Sequence, residues 1–457
     1  MKEYDLIVIG SGGGTQISSP AFDLGKRVAL IEESKLGGTC LNRGCIPSKM
    51  LIHPANVASI IKEAGKFDIK TEFKSANLQK LLRRINHKTD SDSKGIKSWY
   101  NQRNKNFDFY DGHGKFVSDK IVEVNGKRIT AKKIFIVTGA RPLIPPIPGL
   151  SGIPFMTSTD ALRSRKLPRK LLVIGGGYIA CELGYAYSAL GSEVHWLVRD
   201  KGLLQREDQQ LSGTFTKVFS ARENVHFNIN TTKVEYKNKL FTLHLETNSG
   251  KKSKITGDAL LVATGVKPNT DQLGLENTKI ELTEKGFVKV NNYLETSVKG
   301  VYALGDCVGN YLFRHSVNFE GQYLFQSNYL RENKPIKYPP MPHAVFTNPE
   351  VGSVGMTEEE LVKLKIPYVV GFNLYEKSAM GMARISKDDF VKLLFHKKTR
   401  KLLGAHILGE EASDMIHQLV YAMTFGATAD NLLEMIYIHP ALPEIVRNAA
   451  RNALDRF

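Results

Sequence analysis

Cysteine is scarce in this sequence: only Cys40, Cys45, Cys181 and Cys307 occur among its 457 residues. So few cysteines in so long a chain exclude the disulfide framework of a small secreted domain. The close pair, Cys40 and Cys45, is therefore expected to be catalytic or metal-binding. A metal site needs further ligands nearby, and the closest histidine, His53, stands alone, so we expect no metal.

Long apolar runs are also missing. No stretch approaches the roughly 18 residues that a membrane-spanning helix needs. The first ten residues, MKEYDLIVIG, have an acidic flank and run directly into glycines, which is typical of a strand and not of a secretion signal. We therefore expect no membrane association and a cytoplasmic location.

The charge is unbalanced towards lysine and arginine, with 63 basic and 46 acidic residues and a formal net charge of +17. Such a balance would suit an anionic partner or a nucleic acid. It is also typical of a lysine-rich solvated surface. No nucleic-acid motif accompanies the charge, so we favour the solvated surface and expect no nucleic-acid partner.

One order of elements occurs twice along the chain: a strand, a glycine-rich turn, a helix, a second strand and a later strand that closes in Thr-Gly. The predicted strands are residues 4–9, 28–31 and 134–137 in the first copy and 171–174, 193–198 and 260–263 in the second. Two such units indicate two bound dinucleotides.

The rest of the chain is less regular. A polar helical region is predicted from about Lys49 to Asn104, with its stretch KTDSDSKG as a loop or helix end. The proline-rich segments RPLIPPIPG and YPPMPHAVFTNPE are predicted boundaries. After them come predicted strands 390–395 and 403–408 and C-terminal helices, without a glycine-rich phosphate turn.

The first glycine cluster fits a dinucleotide turn. Gly10 supplies the tight bend, and Gly12 lets the backbone approach a pyrophosphate. The third position of the pattern is Thr15, a departure whose crowding we expect Gly14 to relieve. About 20 residues on, Glu32 ends the next strand, where a carboxylate can bind ribose hydroxyls.

The second cluster, Gly175, Gly177 and Ala180, matches the alanine-ended form of the same pattern. The strand after it ends in a cation and not in an acid. Three basic residues follow in this stretch: Arg199, Lys201 and Arg206. A guanidinium binds a 2′-phosphate with charge-assisted hydrogen bonds, so this cluster favours NADPH, although a basic surface cluster would look the same.

The segment GGTCLNRGCIPSK places Cys40 and Cys45 five residues apart, just after the first nucleotide unit. Residues from about Thr39 are expected to open a helix whose N-terminal dipole lowers the pKa of a thiol. A disulfide beside a flavin can accept two electrons and exchange with a substrate disulfide.

This segment closely resembles the redox motif of the flavoprotein disulfide reductases, a family that includes dihydrolipoamide dehydrogenase, glutathione reductase, mycothione reductase and mercuric reductase. Further segments resemble that family in the same order along the chain. They are GGGYIACELG for the nicotinamide motif, VYALGDC for the second flavin motif, FTNPEVGSVG for the start of the dimerisation domain and HPALPE for the catalytic His–Glu element.

The resemblance implies a role for each matched residue. Cys40 matches the interchange thiol that attacks the substrate, and Cys45 matches the thiol that forms a charge-transfer complex with the flavin. Lys49 matches the lysine near flavin N5, Glu182 its partner carboxylate, and Tyr178 the aromatic gate that nicotinamide displaces.

His439 matches the general acid/base of the family, and Glu444 the carboxylate that orients it. Imidazole titrates near neutrality, so it can take a proton from one thiol and return it to the leaving one. Other histidines, such as His53, His87 and His343, are expected to be structural. Cys181 and Cys307 are expected to pack as small apolar residues.

The complete set of cofactor positions follows from these motifs. For FAD they are Gly10, Gly12, Gly14, Glu32, Thr39, Lys49, Thr138, Gly139 and Asp306. For NADP(H) or NAD(H) they are Gly175, Gly177, Ala180, Arg199, Lys201, Arg206 and Gly265.

The expected fold is α/β, with two Rossmann-like dinucleotide-binding domains and an α+β C-terminal dimerisation domain. The expected domains are an FAD-binding domain with the redox disulfide (1–144), an NAD(P)-binding domain (145–269), a central domain that completes the FAD site (270–339) and a dimerisation domain (340–457). The resemblance implies a homodimer in which His439 lies opposite the Cys40 of the other copy. The sequence alone leaves open whether the base acts within its own chain.

Departures from the family patterns narrow the range of expected substrates. The stretch QISSPAFDLG lacks the arginine with which glutathione enzymes bind peptide carboxylates, and the C-terminus RNALDRF lacks the cysteine pair of mercuric reductases. CLNRGCIPSK is similar to dihydrolipoamide dehydrogenases, which usually carry an acid where Arg199 stands. IHPALPE and Thr15 are more similar to mycothione reductases.

Three interpretations follow. The first is a dihydrolipoamide-dehydrogenase-like enzyme acting on a small dithiol or disulfide, or on a lipoyl domain. The second is an NADPH-dependent reductase of a low-molecular-weight disulfide, similar to mycothione reductase. The third is a flavoprotein whose disulfide only senses redox state. The choice between NADH and NADPH stays open.

Overall fold

The computed structural model describes residues 1–102, 105–330 and 334–457. The chain forms two compact units. The first comprises residues 1–50, 80–143 and 265–337, and the second comprises residues 51–79, 144–264 and 338–457.

The strands are numbered in chain order: β1 Lys2–Ile9, β2 Val28–Glu32, β3 Phe107–Asp111, β4 Gly114–Ser118, β5 Ile121–Val124, β6 Lys127–Ile136, β7 Ala140–Pro142, β8 Lys170–Ile174, β9 Glu193–Leu197, β10 Asn224–His226, β11 Ile229–Lys237, β12 Leu240–Thr247, β13 Lys252–Gly257, β14 Ala259–Val262, β15 Val266–Pro268, β16 Val301–Ala303, β17 His343–Val345, β18 Val351–Gly355, β19 Tyr368–Leu374, β20 Phe390–His396 and β21 Leu402–Leu408.

The α-helices are α1 Thr15–Asp23, α2 Gly38–Arg43, α3 Cys45–Glu63, α4 Leu78–Asn101, α5 Ser158–Ala161, α6 Tyr178–Ala189, α7 Gln209–Ser220, α8 Arg314–Tyr329, α9 Glu358–Lys363, α10 Ala379–Ala383, α11 Ala412–Thr424, α12 Ala429–Glu434 and α13 Glu444–Leu454. Short 3₁₀ turns lie at Ala64–Phe67, Leu275–Asn277, Gly305–Cys307 and Tyr375–Lys377. Within the described residues, no helix combines the length and the apolar character needed to cross a bilayer.

The first unit is built on a sheet of order β3-β2-β1-β6-β5-β4, in which β16 also pairs with β6. Strands β3, β2, β1, β6 and β16 are parallel, and β4 and β5 join them antiparallel. Successive side chains of a strand point to opposite faces. Accordingly, Leu6 and Val8 enter one apolar core, and Ile7 and Ile9 enter another on the opposite face. A sheet covered on both faces explains why these strands read as continuous apolar runs.

The second unit contains a parallel sheet of order β10-β9-β8-β14 and an antiparallel sheet of order β11-β12-β13. It also contains an antiparallel sheet of order β17-β18-β21-β20-β19 from the C-terminal third. The apolar faces of α11 and α13 share a core with that sheet. The expected α/β fold, with two dinucleotide-type parallel sheets and an α+β C-terminal part, is confirmed.

All eight strands predicted from sequence are present, with ends that differ by at most a few residues for seven of them; β6 is longer and begins at Lys127. Cys181 and Cys307 are fully buried, as predicted. The chain passes from one unit to the other five times, at residues 50–51, 79–80, 143–144, 264–265 and 337–338. The third and the fifth of these breaks fall within or beside the two proline-rich segments. The division into four domains stays a prediction.

The prediction for the region between the two nucleotide units was partly wrong. The predicted single helical region consists of two separate helices, α3 and α4. Its predicted end at Asn104 lies outside the described residues. The segment KTDSDSKG is not a loop but lies inside α4. Its weak helix propensity is overcome by packing, because Thr89 is buried and Ser93 Oγ donates to the Leu36 carbonyl at 2.8 Å.

A buried charge cluster anchors α7 in the second unit. Lys392 is fully buried in β20, and its Nζ lies 2.9 Å from both carboxylate oxygens of Asp208 and 2.5 Å from Glu358 Oε2. Asp208 also caps α7, since its Oδ1 accepts from the Gln210 amide at 3.1 Å. Charges without water need such pairing, because an unpaired buried charge is strongly destabilising.

Lys392→Met should therefore lower the free energy of unfolding by about 3–5 kcal/mol, since it leaves two carboxylates without their cation. The matched control is Lys217→Met, whose lysine pairs with Asp388 at 3.0 Å but is largely exposed. The control should change stability by less than about 1 kcal/mol. Urea unfolding of both variants at one protein concentration measures the difference, and equal shifts would contradict this role of Lys392.

Candidate active site

The two thiols lie at the junction of α2 and α3 in the first unit. Gly37 and Gly38 have left-handed φ angles of 96° and 64°, which turn the chain into α2. Cys40 stands in the first turn of α2, and Cys45 is the first residue of α3. Cys40 is half-buried and Cys45 exposed, and both are free thiols, which is the dithiol form of the expected disulfide pair.

The side chains of Cys40 and Cys45 hydrogen-bond to each other. This hydrogen bond lowers the pKa of Cys40, and the positive charge of Arg314 lowers it further. Burial has the opposite effect but is outweighed, so that the pKa of Cys40 is about 7. The same bond raises the pKa of Cys45 well above its usual range. One thiolate is therefore stabilised near neutral pH, and it resides on Cys40.

The helix dipole acts differently from the sequence expectation. The backbone amides of Cys45 and Ile46, at the start of α3, donate to the Cys40 sulfur and lower its pKa further. The helix that opens near Thr39 ends at Arg43, so the dipole beside the thiolate is that of the next helix. The spacing of five residues brings the Cys40 sulfur back to that helix terminus.

Arg314 was missed by the sequence reasoning. It is the first residue of α8, and no acidic side chain of the described residues pairs with it. A Cβ on Gly12 would lie 3.9 Å from Arg314 Nη1, so the guanidinium stands beside the first glycine turn, and its charge also acts on the Cys40 thiol. The available signal was a lone cation at a helix start, eight residues after Asp306 in the VYALGDC motif.

The first glycine turn has little room for side chains. Gly10 has φ +106°, and a Cβ there would lie 2.3 Å from the Val137 carbonyl oxygen. A Cβ at Gly14 would lie 2.2 Å from the Gly10 carbonyl oxygen, so the close approach of helix to strand falls at Gly14. Thr15 begins α1, and its Oγ1 donates to the Gly12 carbonyl at 3.2 Å.

The surroundings of this turn fit an FAD. The Glu32 carboxylate is buried beside the turn and accepts from the Ser11 amide at 2.9 Å and from Ser11 Oγ at 2.7 Å. Gly139, with φ +67°, has open space where a Cβ would stand. Burial raises the pKa of the Asp306 carboxyl to about 6, and in the described part of the chain nothing forms a hydrogen bond or ion pair with it. A buried carboxylate that accepts no hydrogen bond from these residues is suited to accept one from a hydroxyl of a bound ligand.

The remaining predicted flavin positions belong to the same unit. Thr138 precedes Gly139 and donates through Oγ1 to the Asn269 carbonyl at 2.8 Å. Thr39 adjoins Cys40 in α2, and Lys49 lies one turn into α3, where its charge favours the Cys45 thiolate.

The second glycine turn, in the second unit, repeats the geometry of the first. Gly175 has φ +135°, and a Cβ there would lie 2.4 Å from the Ala263 carbonyl oxygen. Gly177 has no neighbour within 4 Å of its Cβ position, which leaves its backbone open to a phosphate. Ala180 is fully buried against the turn. Gly265, with φ +124°, falls in the first unit.

The predicted cations of this turn are exposed. Arg199 lies two residues beyond β9, and its side chain is 80% exposed, with Asp200 Oδ1 4.0 Å from its Nε. Lys201 and Arg206 are also exposed. Their charges are thus available to an anionic ligand.

Tyr178 and Glu182 stand one turn apart on α6. Glu182 is buried, and its Oε1 accepts from the Phe346 amide at 3.0 Å. The Tyr178 hydroxyl donates to the carboxylate of Glu207, a residue that the sequence reasoning did not single out.

His439 and Glu444 form a hydrogen-bonded pair in the second unit. His439 Nδ1 lies 3.0 Å from Glu444 Oε2, and Arg447 donates to Glu444 Oε1 at 2.9 Å. Burial opposes ionisation of Glu444, but the bond from the Ala441 amide, the His439 bond and the Arg447 charge lower its pKa. The carboxylate therefore stays charged and orients the ring, which leaves Nε2 outward on a side chain that is 72% exposed.

Two dinucleotide turns, a thiol pair with one stabilised thiolate and a histidine–carboxylate pair define a class: a nucleotide-dependent redox protein that works through a dithiol. Comparison with known families agrees. Residues 4–322 match the pyridine nucleotide-disulphide oxidoreductase family, and residues 341–450 match its dimerisation domain.

Individual relatives cover the whole chain. It is 34% identical to a mycothione reductase of Mycobacterium tuberculosis, over 98% of this chain and 99% of that protein. It is 32% identical to a dihydrolipoyl dehydrogenase of Bacillus subtilis, over 99% and 97%. The structure is similar to a copper(II) complex of the HOCl-induced flavoprotein disulfide reductase RclA from Escherichia coli, with a TM-score of 0.87, 27% identity and 99% of each chain covered.

The chain belongs to the pyridine nucleotide-disulphide oxidoreductase family. It is a flavoprotein disulfide oxidoreductase, and members of this family carry FAD and use NAD(P)H.

Arg314→Met should raise the pKa of Cys40, because it removes a positive charge that stabilises the thiolate. Alkylation of the reduced protein by iodoacetamide, followed by mass spectrometry of the Cys40 peptide across a pH series, measures this. In the wild type the rate should reach half its maximum near pH 7. In the variant the profile should move to higher pH, so that alkylation at neutral pH is severalfold slower.

Arg43→Met is the matched control for this measurement. Arg43 lies in the same short helix as Cys40, but its guanidinium donates to Ser34 Oγ at 3.2 Å. The control should keep the wild-type profile. An unchanged profile in Arg314→Met would show that Arg314 does not stabilise the thiolate.

Proposed function

We propose that this protein is an NADPH-dependent FAD enzyme that reduces a low-molecular-weight disulfide through Cys40 and Cys45. The observation that carries the proposal is the half-buried Cys40, whose pKa is lowered to about 7 beside a partner thiol of raised pKa. A thiolate present at neutral pH is the nucleophile that disulfide exchange requires. The identity of 34% to a mycothione reductase supports a small disulfide as substrate.

The two thiols divide the exchange between them. The Cys40 thiolate attacks one sulfur of the substrate, the substrate S–S bond breaks, and a Cys40–substrate mixed disulfide forms. Cys45 then attacks the Cys40 sulfur, which closes the Cys40–Cys45 disulfide and releases the second substrate thiolate. Bound FAD would supply the two electrons from NADPH that return this disulfide to the dithiol.

His439 is the proposed acid and base of these steps. Each departing substrate thiolate needs a proton, and the attacking thiols must lose theirs. An imidazole held by a charged carboxylate can perform both transfers. The Glu444 bond to Nδ1 leaves Nε2 as the nitrogen that exchanges protons.

A dihydrolipoyl dehydrogenase activity is the second candidate, favoured by the 32% identity to the Bacillus subtilis enzyme over 99% of this chain. Its substrate would be a dihydrolipoyl group, either free or on a lipoyl domain. Steady-state assays with NADPH and NADH against lipoamide and a panel of small disulfides separate these two functions. An enzyme that turns over none of these substrates would support the third interpretation, in which the disulfide only senses redox state.

We also propose a cytoplasmic location, since Cys181 and Cys307 are free thiols.

Arg199→Glu should move the coenzyme preference from NADPH towards NADH. A lost hydrogen bond between charged groups is worth roughly 1.5–3 kcal/mol, so the ratio of the two kcat/KM values should change by about one to two decades. Arg165→Glu, at another exposed arginine of the same unit, makes the same charge change and should leave the ratio unaltered. A wild type that already uses NADH better would overturn the assignment of Arg199.

We further propose a homodimer in which His439 serves the thiols of the other copy. Residues 341–450 match a dimerisation domain. Beside His439, Ile436 is 99% and Ile438 is 80% exposed, and Tyr421 and Phe425 are exposed in the same unit. Large apolar side chains exposed in this way are typical of a surface that another chain covers.

Complementation tests the shared site. Cys40→Ser and His439→Ala enzymes should each be inactive, and a mixture that is unfolded and refolded together should regain activity, because a mixed dimer contains one intact site of two. Each variant refolded alone is the control. A mixture that stays inactive, with mixed dimers demonstrated by mass spectrometry, would show that the base acts within its own chain.

A further inference from the structure

Tyr178 has a defined hydrogen-bond partner in the second unit. Its hydroxyl donates to Glu207 Oε1, and its ring stacks on the imidazole of His343, with centroids 6.1 Å apart and planes at 17°. Tyr178 follows the open Gly177 directly and begins α6. The side chain is thus fixed at its tip and on one face.

Glu207 is held rigidly for a carboxylate. Its side chain is fully buried, His343 Nε2 lies 3.0 Å from both of its oxygens, and Ser353 Oγ donates to Oε2 at 2.9 Å. His343 and Ser353 face each other across β17 and β18. Burial opposes ionisation, but the bond and charge of His343 and the bonds from Tyr178 and Ser353 lower the pKa of Glu207. A charged acceptor that residues of two paired strands hold by three hydrogen bonds is a fixed anchor.

The two ends of this contact differ in the number of hydrogen bonds that hold them. Glu207 cannot move without breaking three bonds to its surroundings, whereas Tyr178 has the Glu207 bond as the one hydrogen bond described for its hydroxyl. Tyr178 is also only half-buried and adjoins the glycine turn. If one partner moves, it is the tyrosine.

We propose that Glu207 is a positioning residue that latches Tyr178 in the position seen here, so that entry of the nicotinamide requires the Tyr178–Glu207 hydrogen bond to break. The proposal rests on the proposed function and on the family resemblance, in which Tyr178 matches the aromatic residue that nicotinamide displaces. A hydrogen bond to a charged acceptor shifts the equilibrium between the closed and the open position of Tyr178 by roughly one to two decades. The apparent affinity for the coenzyme is proportional to the fraction of molecules in the open position. The latch therefore sets coenzyme affinity from outside the coenzyme contacts.

The decisive variant is Tyr178→Phe, which removes the hydroxyl and keeps the ring that stacks on His343. In the holoenzyme, the dissociation constant for NADP⁺ should fall about tenfold or more. In rapid mixing with NADPH, the observed rate of the wild type should reach a plateau at the rate of opening, and this plateau should rise severalfold in the variant. Glu207→Gln, with a neutral acceptor, should change both quantities in the same direction by less.

Two controls separate a latch from a structural role. Tyr187→Phe, on the same helix, removes a buried hydroxyl that donates to the Ala161 carbonyl at 2.7 Å. Ser192→Ala removes another buried hydroxyl of the second unit, which donates to the Pro168 carbonyl at 2.6 Å and bonds to neither Glu207 nor Tyr178. Both should lower the melting temperature at most, with NADP⁺ affinity and the plateau unchanged.

The outcomes are distinct. Tighter NADP⁺ binding and a higher plateau in Tyr178→Phe, with neither change in the controls, support the latch. A wild type that binds coenzyme normally, with a Tyr178→Phe enzyme identical to it or matched by the controls, overturns the latch and leaves the proposed function intact. A wild type that binds neither NADP⁺ nor NAD⁺ overturns both. Should Glu207→Gln fail to fold, the two tyrosine variants carry the test.

Discussion

Both glycine turns that are proposed to bind a nucleotide depend on one steric constraint: the close approach of a glycine to the backbone of a neighbouring strand. Gly10 would bring a Cβ to 2.3 Å from the Val137 carbonyl oxygen, and Gly175 would bring one to 2.4 Å from that of Ala263. In each case the glycine directly follows the first strand of its unit, and the carbonyl belongs to the residue directly after a parallel partner strand. Without a side chain, the chain can turn there and start a helix that points its amides at the site. The internal repeat is thus a repeat of this contact.

The redox centre is built from weaker and more numerous interactions. No single group produces the thiolate of Cys40. The Cys45 thiol, the charge of Arg314 and the amides at the start of α3 each contribute, and burial works against them. A balance of this kind gives a thiol pKa near neutrality, where the thiolate is present in quantity and still strongly nucleophilic.

Buried carboxylates connect the segment that follows the second glycine turn with the C-terminal sheet inside the second unit. Glu207 and Asp208 are consecutive, yet the first is bound by His343 and Ser353 and the second by Lys392. The first therefore faces the residue beside the glycine turn, and the second caps α7 and fixes the helix. The two adjacent acidic residues have different roles because their side chains point in different directions from the same loop. Glu207 accepts a hydrogen bond from Tyr178, and Asp208 stabilises the fold.

The sequence by itself determined the elements that short spacings encode. Glycine turns, apolar strands, the CLNRGC pair and the His–Pro…Glu pair each fit within a few residues, and local sterics or one helical turn fix their geometry. Only the tertiary structure decided which distant side chains meet these elements. Glu207 and His343 are 136 residues apart, and Arg314 reaches the thiols from a helix far along the chain. KTDSDSKG became helix because buried partners outside the segment outweighed its propensity. Contacts of this range depend on the packing of whole sheets, and no local pattern carries that information.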